Sequence, residues 1–243
     1  MVLFGNMKKG LAEKIKVIGF DADDTLWVNE PHFQAAEREF CALMGAYVPP
    51  EKAAKALFKA ELRTLGLYGF GAKGFMLAAL ETALDVSRNT VPAATMRKIL
   101  GLGKRLLDFP IELLPGVEAV LKALRPGYRL VLITKGDLLD QERKLKRSRL
   151  AECFHHIEIL SSKEEEDYRA LLATLGVKPR EFLMVGNSLK SDILPVLKLG
   201  GCGVHIPYHV TWEHEKADPV GLNKARYRQL AVISGLPALL KNW

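Results

Sequence analysis

Three carboxylates and a hydroxyl follow a short apolar segment near the start of the chain. The segment Ile15–Phe20 is rich in apolar and β-branched residues, and Asp21, Asp23, Asp24 and Thr25 come soon after it. Such a run is typical of a strand buried on both faces of a parallel sheet. Adjacent acids repel each other, so a fold that places them together usually gains a metal ion or an acid–base pair. The alternative is an Asp-rich turn in which Thr25 caps the next helix.

Polar residues also follow the later predicted strands. An apolar run ends at Thr134 and continues into Lys135 and Gly136, Lys163 follows a third strand, and the loop Gly186–Asp192 follows a fourth. The carboxyl ends of parallel strands lie along one edge of an open sheet, so we expect these groups to converge there. Each has a structural explanation when taken alone, such as a helix cap or a surface charge.

Strands and helices alternate along most of the chain, which predicts a parallel, doubly wound sheet. The stretch Glu30–Leu107 has helical spacing throughout and predicts an all-helical insert after the first strand. The later predicted strands are Tyr128–Thr134, His156–Leu160, Phe182–Gly186 and Gly203–Ile206, and the later helices are Val117–Leu124, Leu138–Leu150, Glu164–Leu175 and Ser191–Leu199. Arg226 to Arg228 is interpreted as a surface segment before a helical end.

In this order, the residues resemble the motifs of the haloacid dehalogenase superfamily of phosphotransferases. Asp21, Asp23 and Thr25 match its first motif, Asp-x-Asp-x-Thr. Thr134 matches the second, a Ser or Thr that ends an apolar strand, and Lys163 matches the third, a Lys before a helix. The motifs are specific as an ordered set, and the resemblance covers the chain from about residue 15 to residue 204.

The fourth motif departs from the pattern at one position. The family usually has Gly-Asp-x-x-x-x-Asp, whereas this chain has Asn187 after Gly186 and reaches Asp192 at the end of the motif. Asparagine is neutral but keeps an oxygen that can bind a hard cation or a water molecule. We therefore expect Mg²⁺ to bind, with Asn187 weakening the site.

The resemblance implies an α/β fold, in which a doubly wound parallel sheet of the Rossmannoid type carries an inserted all-helical cap domain. We expect the catalytic core to comprise residues 1–27 and 113–243 and the helical cap to comprise residues 28–112.

The resemblance also implies a Mg²⁺-dependent phosphomonoesterase that acts on a small phosphorylated metabolite through an aspartyl-phosphate intermediate. Asp21 would be the nucleophile, Asp23 the general acid and base, and Lys163 the group that offsets the phosphate charge. The expected phosphate contacts are Thr134, Lys135, Gly136 and Lys163, and the expected metal ligands are Asp21, the carbonyl of Asp23, Asn187 and Asp192.

Other functions stay open on the residues alone. Asn187 is the feature that suggests a catalytically weak or non-enzymatic, ligand-binding relative. A dehalogenase-type hydrolase is a second alternative, but Asp23 favours phosphate esters because a halide leaves without a proton. A response-regulator receiver is discounted, since receivers carry the phosphorylated Asp on the third strand.

The composition of the chain indicates the cellular compartment in which we expect the protein. The chain has 243 residues, of which 49% are hydrophobic and 26% are charged, and no apolar stretch is long enough for a bilayer. No secretory signal is visible in Met1–Lys16. Cys41, Cys153 and Cys202 are widely separated, which favours reduced thiols in a cytoplasmic protein.

The remaining features concern partners. The formal net charge of +7 favours an anionic ligand. The basic run from Arg143 to Arg149, which includes Lys144, is interpreted as the solvated face of a surface helix, and we expect no nucleic-acid partner. His205, His209 and His214 are interpreted as part of a loop that borders the site rather than as a zinc site. Oligomeric state is not indicated.

Aromatic residues near the expected joint between core and cap are interpreted as packing residues. Trp27, Tyr68 and Phe70 belong to this group, and Lys73 is interpreted as a surface charge rather than a substrate contact.

Overall fold

The computed structural model describes residues 15–218 and 222–243. The predictions for residues 1–14, which include most of the segment tested for a secretory signal, lie outside the described residues.

Strands and helices alternate after a helical stretch, as the sequence predicts. The strands are β1 (Val17–Phe20), β2 (Arg129–Lys135), β3 (His156–Leu160), β4 (Phe182–Gly186), β5 (Cys202–His205) and β6 (Tyr227–Gln229). The helices are α1 (Glu30–Leu43), α2 (Pro50–Tyr68), α3 (Ala72–Ser87), α4 (Ala93–Asp108), α5 (Val117–Leu124), α6 (Leu138–Ser148), α7 (Glu165–Leu175), α8 (Leu194–Lys198) and α9 (Leu236–Asn242).

Within the described residues, six strands form one parallel sheet in the order β3-β2-β1-β4-β5-β6. The chain begins at the centre, moves outward through β2 to β3, and returns to add β4, β5 and β6 on the other side. The direction of winding therefore reverses between β1 and β4. In open α/β sheets, ligands bind at the carboxyl ends of the strands at this point of reversal.

The central strand β1 is buried on both faces. Ile18 and Phe20 belong to the hydrophobic cluster on one face of the sheet, and Val17 belongs to the cluster on the other face. A Cβ at Gly19 would lie 2.7 Å from both Ile133 Cδ1 and Phe182 Cζ, so a side chain there would require these neighbours to move. Burial on both faces explains why β1 is a continuous apolar run, as predicted, rather than an alternating one.

Helices α1 to α4 enclose a hydrophobic cluster of their own. Phe40 of α1, Leu57 of α2 and Ile99 of α4 are almost fully buried in it. The cluster is separate from the two clusters that cover the sheet. This stretch is therefore an all-helical insertion with its own core, which agrees with the predicted helical cap.

Two short segments that run side by side connect the cap to the sheet. The Val28 N–H donates to the Glu112 carbonyl at 2.9 Å, and the Leu114 N–H donates to the Leu26 carbonyl at 2.9 Å. Asp24 ends this entry segment by accepting the Asn29 N–H at 2.9 Å and the Glu30 N–H at 3.0 Å, which satisfies donors at the start of α1. Asp24, the third acid after β1, thus holds the first backbone N–H groups of α1 close to the end of β1.

Two elements differ from the sequence prediction. Arg226–Arg228 was predicted as a surface segment, but Tyr227–Gln229 forms the edge strand β6 beside β5. A strand of three residues is too short to show a hydrophobic period. The helix predicted from Ser191 begins instead as a π-helical turn, Leu189–Ile193, before α8.

In the described part of the chain, no helix has the length and apolar character needed to cross a membrane.

Candidate active site

A cavity of ≈ 180 Å³ lies between the carboxyl edge of the sheet and the cap. Most of the site residues predicted from the sequence meet at its floor. The described residues that line it include Asp21, Asp23, Thr134, Lys135, Lys163, Asn187 and Asp192. Asp21 follows β1, and Asn187 and Asp192 follow the neighbouring strand β4, so the floor coincides with the point where the winding of the sheet reverses.

The Lys163 ammonium lies between two buried carboxylates at the centre of this floor. Its Nζ is 2.5 Å from Asp21 Oδ1 and 2.8 Å from Asp192 Oδ1, and its side chain is 1% exposed. Burial and the charge of Asp192 raise the pKa of Asp21 to about 7, although Lys163 opposes this rise. Burial alone would lower the pKa of Lys163, but the charges of Asp192 and Asp21 raise it. One ammonium therefore holds two carboxylates that would otherwise repel each other.

The start of α7 fixes the position of Lys163. Asp167 accepts the Glu164 N–H at 2.8 Å and the Ser162 hydroxyl at 2.6 Å, so both neighbours of Lys163 are held by one carboxylate. Tyr168 is fully buried, and its hydroxyl donates to the Ser191 carbonyl at 3.1 Å. The loop that carries Lys163 is thereby fastened to the turn that carries Asp192.

Thr25 connects the first motif to the fourth. Its hydroxyl donates to Asp21 Oδ2 at 3.0 Å and accepts the Asn187 N–H at 3.0 Å. Asn187 Oδ1 lies 3.4 Å from the same hydroxyl. The alternative in which Thr25 caps the next helix is wrong, because Asp24 caps α1 and leaves Thr25 free to orient the nucleophile candidate.

Gly186 gives Asp192 the space it occupies. A Cβ at Gly186 would lie 2.2 Å from Asp192 Oδ2. That same oxygen accepts the Ser188 N–H at 3.0 Å, across the π-helical turn. Glycine at this position is thus required by close packing of a carboxylate against the backbone.

Asp23 is held by three nitrogen donors. Its Oδ1 accepts the Trp27 indole N–H at 2.7 Å, and its Oδ2 accepts the Gln141 amide at 2.9 Å. The Lys144 ammonium lies 3.0 Å from Oδ1 and 3.1 Å from Oδ2, and it also donates to Asn29 Oδ1 at 2.8 Å. The carboxylate is therefore oriented on both of its oxygens by core residues.

Sequence reasoning missed Lys144 and Gln141. Lys144 was interpreted as part of a solvated helix face, and this was wrong, because its side chain is 6% exposed and pairs with Asp23. The two residues are three apart, so they share one face of α6. The spacing of Gln141 and Lys144 was a sign that both could face the site, but the neighbouring charged residues made the whole helix resemble a solvated one.

Thr134 and Lys135 have different positions at the end of β2. Thr134 is buried and lines the cavity. The Lys135 ammonium lies 2.8 Å from Ser191 Oγ and 2.5 Å from Glu215 Oε1, and 4.1 Å from the centre of the Phe70 ring. The Gly136 N–H donates to the Leu160 carbonyl at 3.1 Å, so this donor is already used by the backbone.

The loop after β5 closes one side of the cavity. Glu215 accepts hydrogen bonds from Ser188 and Ser191, each at 2.6 Å. Burial alone would raise the pKa of Glu215, but Lys135 and these two hydroxyls lower it to about 2. Trp212 of the same loop packs edge-on against Phe70 of the cap, with ring centres 6.2 Å apart. The loop therefore joins the sheet edge to the cap, as its interpretation as a border of the site predicts.

Two histidines of this region, His205 and His214, contact other groups of the protein. His205 Nε2 lies 2.9 Å from the Asn187 carbonyl, and burial lowers the His205 pKa. His214 contacts the Lys190 ammonium. In the described part of the chain, no group of three or more His, Cys, Asp or Glu side chains has the arrangement of a metal site.

The predicted packing residues behave in different ways. Trp27 is fully buried between core elements, as predicted, and Phe70 lines the cavity. The Tyr68 hydroxyl donates to Glu81 at 2.5 Å. Lys73, interpreted as a surface charge, has a side chain that is 42% exposed, and it forms an ion pair of 2.9 Å with Asp137, which joins α3 of the cap to the start of α6.

Hard oxygen donors gather where the resemblance places the metal. Asp21 and Asp192 contribute carboxylates, and Asn187 contributes an amide oxygen beside Asp21 through Thr25. The single ammonium of Lys163 leaves this group with excess negative charge, which is one cause of the raised Asp21 pKa. Oxygen ligands with negative charge are what Mg²⁺ prefers, so the residues present fit that ion.

The wall formed by the cap is acidic. Glu30 of α1 and Glu61 of α2 line the cavity. Burial, with the charges of nearby acids that include Asp24 and Glu61, raises the pKa of Glu30 to about 8. Burial and the charge of Glu37 raise the pKa of Glu61 to about 7. These carboxyl groups therefore face the cavity at a cost in electrostatic energy.

Comparison with known proteins agrees with the fold. The family model described as haloacid dehalogenase-like hydrolase matches residues 15–200. Since this match covers well over half of the chain, the protein belongs to the haloacid dehalogenase-like hydrolases. A crystal structure of a haloacid dehalogenase-like family hydrolase from Xanthomonas campestris is 35% identical, with a TM-score of 0.84, and covers 94% of this chain and 91% of that one.

Curated relatives include phosphatases. Glyceraldehyde 3-phosphate phosphatase from Pyrococcus furiosus is 26% identical over 233 residues, which is 94% of this chain and 92% of that protein. N-acylneuraminate-9-phosphatase from Rattus norvegicus is 28% identical over 131 residues, about half of each chain. A 2-haloacid dehalogenase structure from Pseudomonas syringae has a TM-score of 0.62 at 19% identity, which shows a shared fold alone.

Gly186→Ala is expected to displace the Asp192 carboxylate and to lower hydrolytic activity by about 100-fold, the effect of a misplacement of about 1 Å at a reacting centre. Steady-state kinetics would measure the loss, and circular dichroism would show whether the variant is folded. Gly66→Ala is the matched control, because a Cβ at Gly66 meets no atom within 4 Å. Equal activity of the two folded variants would contradict this account of Gly186.

Lys144→Met is expected to lower the free energy of unfolding by about 2 kcal/mol, since it removes a charged hydrogen-bond donor from a half-buried carboxylate. It is also expected to lower hydrolytic activity, because Asp23 loses a group that orients both of its oxygens. Urea unfolding and kinetics measure the two effects. Lys146→Met, at an exposed position of the same helix, is the control and should change neither quantity.

Glu61→Gln is expected to raise the melting temperature by a few degrees in alkaline buffer. The pKa of Glu61 in the folded protein lies above its ordinary value of 4.5, so folding favours the protonated carboxyl group. Its contribution to stability is therefore fully present below pH 4.5 and is lost as the pH rises through about 7, where Glu61 ionises in the folded protein. The variant should melt near the wild type at about pH 4.5 and above it at about pH 9. Glu51→Gln, at an exposed position of the same helix, should show no such difference.

Proposed function

We propose that this hydrolase is a Mg²⁺-dependent phosphomonoesterase that transfers the phosphoryl group of a small phosphorylated metabolite to Asp21 and then to water. The observation that carries the proposal is the buried arrangement of Asp21, Lys163 and Asp192 where the winding of the sheet reverses. The relationship to a curated phosphatase over 94% of the chain supports it.

The first step breaks the ester P–O bond and forms a P–O bond to Asp21. Asp21 is a weak nucleophile, so its attack on a phosphate dianion requires that both negative charges be offset. Lys163 is in place for this, since its ammonium lies 2.5 Å from Asp21. The Thr134 hydroxyl, which lies in the cavity wall, would hold a phosphoryl oxygen. Gly136 is not part of this proposal, because its N–H is used by the backbone.

Asp21, Asn187, Asp192 and the Asp23 carbonyl are the groups that would hold Mg²⁺. The ion supplies positive charge that offsets the phosphoryl oxygens. The protein residues then orient the ester: Thr25 fixes Asp21, Gly186 makes room for Asp192, and Lys163 holds the two carboxylates at a fixed separation.

Asp23 would supply the proton that the leaving alkoxide needs, and would later take a proton from the hydrolytic water. It lies in the cavity wall two residues beyond the nucleophile. The donors from Trp27, Gln141 and Lys144 fix the plane of its carboxylate. The presence of an acid here is also what counts against the dehalogenase alternative, because a halide needs no proton.

The core at 1–27 and 113–243, the cap at 28–112 and the cytoplasmic location remain predictions. The separate hydrophobic cluster of the cap supports the division, and the free cysteines are compatible with a reducing compartment.

The function is tested by hydrolysis of p-nitrophenyl phosphate with Mg²⁺ and after its removal by a chelator. We expect turnover that requires the metal and is abolished in Asp21→Asn. Metal-dependent release of nitrophenol that persists in Asp21→Asn would refute the role of Asp21. A panel of phosphorylated metabolites, including those named by the curated relatives, would then identify the substrate class.

Asp23→Asn is expected to lower kcat/KM for an alkyl phosphate by about 10²- to 10⁴-fold, since the alkoxide must be protonated as it leaves. The loss for p-nitrophenyl phosphate should be much smaller, because nitrophenolate leaves without a proton. Comparing kcat/KM for the two esters isolates the first step. A similar loss for both esters would mean that Asp23 acts on the fold of the site rather than on the leaving group.

A further inference from the structure

Among the described residues, the cap half of the cavity carries carboxyl groups that form no ion pair. Glu30 and Glu37 are seven residues apart on α1 and thus share one face, and Glu61 comes from α2. Within the described parts of the chain, none of these three side chains accepts a hydrogen bond or forms an ion pair. Burial raises the pKa of each of them.

The lysines that line the cavity form ion pairs with other acids, not with the three glutamates of the cap. Lys163 binds Asp21 and Asp192, Lys144 binds Asp23, and Lys135 binds Glu215. Among the described lining residues, eight carboxylates therefore face three ammonium groups. A phosphate dianion and a divalent metal ion would cancel each other in charge, so neither compensates the carboxyl groups of the cap. The raised pKa values of Glu30 and Glu61 mean that these groups are partly protonated at neutral pH, and a cationic group beside them would favour their ionised forms.

A separate observation also indicates a ligand that carries a hydrogen-bond donor. Gln141 is 3% exposed and lines the same cavity, and its Oε1 has no hydrogen-bond partner. The orientation of the amide is fixed, since its nitrogen donates to Asp23 at 2.9 Å. A buried acceptor without a partner is costly, and a donor on the leaving group would satisfy it.

Aromatic rings accompany these carboxylates. Phe33 lies on the same face of α1, between Glu30 and Glu37 in sequence, and it packs edge-on against Phe75 with ring centres 5.8 Å apart. Aromatic faces attract a cationic nitrogen and would exclude water from it. The pattern of acids with aromatic rings thus fits a positively charged group better than a neutral polyol, which would leave the carboxylates uncompensated.

We propose that the substrate is a phosphate monoester whose leaving group carries a cationic amine, which binds under the cap against Glu30, Glu37, Glu61 and Phe33. This inference rests on the proposed phosphomonoesterase function and adds the class of leaving group. The core then recognises the phosphate, and the cap recognises the charge at the other end of the molecule. An anionic leaving group would be repelled by the same wall.

The test compares esters that differ in charge and not in shape. Ethanolamine phosphate is paired with propyl phosphate, and choline phosphate with 3,3-dimethylbutyl phosphate, in which carbon replaces the cationic nitrogen. Ethanolamine phosphate should exceed propyl phosphate in kcat/KM by about 10-fold or more, since a desolvated cation beside carboxylates favours binding by that order. The choline pair, which has no N–H to donate to Gln141, should show a smaller excess. Glycerol phosphate provides the polyol comparison.

Variants in the cap assign the preference to its carboxylates. In Glu30→Gln and Glu61→Gln, the ratio of kcat/KM for the cationic ester to that for its isostere should fall by about 10-fold. Glu51→Gln, an exposed carboxylate of α2, should keep the wild-type ratio. Because Glu61→Gln is expected to be the more stable protein in alkaline buffer, a failure to fold does not confuse the result.

The outcomes separate the two proposals. Turnover of p-nitrophenyl phosphate without preference for either cationic ester, or a preference for glycerol phosphate, would overturn the inference and leave the phosphomonoesterase function standing. A cation preference that survives in both Glu→Gln variants would also overturn it. Absence of Mg²⁺-dependent turnover of every ester would refute the proposed function, and the inference with it.

Discussion

The site depends on one buried ammonium. Lys163 holds Asp21 and Asp192 within hydrogen-bonding distance of the same nitrogen, at a place where two carboxylates alone would repel each other and resist desolvation. The arrangement requires that β1, β4 and the loop after β3 end at one edge of the sheet, and the order of the strands provides this. The remaining features of the floor, namely the hydroxyl of Thr25, the missing side chain of Gly186 and the cap of α7, keep these three charges in register.

The pairing of acids with lysines also differs between the two halves of the cavity. Each lysine among the described lining residues pairs with an acid of the core, whereas Glu30, Glu37 and Glu61 of the cap form no ion pair. A half-buried acid without an ion-pair partner destabilises the protein when it ionises, as the raised pKa values of Glu30 and Glu61 indicate. Such a cost is typical of functional sites, where groups are arranged for a ligand rather than for stability.

The joint between cap and core is built from the first motif itself. Asp24 caps α1, while Trp27 is buried in the core and donates to Asp23. The ion pair of Lys73 with Asp137 and the contact of Trp212 with Phe70 connect the two parts at other points. Asp23, Asp24 and Trp27 therefore join the start of the cap to the floor of the site through one short segment of backbone.

The sequence by itself determined the strands, the helical insertion and the residues at the strand ends, because burial on two faces and helical periodicity leave clear patterns in a chain. It also determined that Asp21, Thr134, Lys163 and Asp192 would converge, since parallel strands share a carboxyl edge. Only the tertiary structure decided that Lys144 pairs with Asp23, that Asp24 rather than Thr25 caps α1, that three residues near Tyr227 form an edge strand, and that Glu30 and Glu61 face the cavity. These depend on contacts between residues far apart in the chain, and a charged residue on a helix has the same local sequence whether its partner is water or a buried carboxylate.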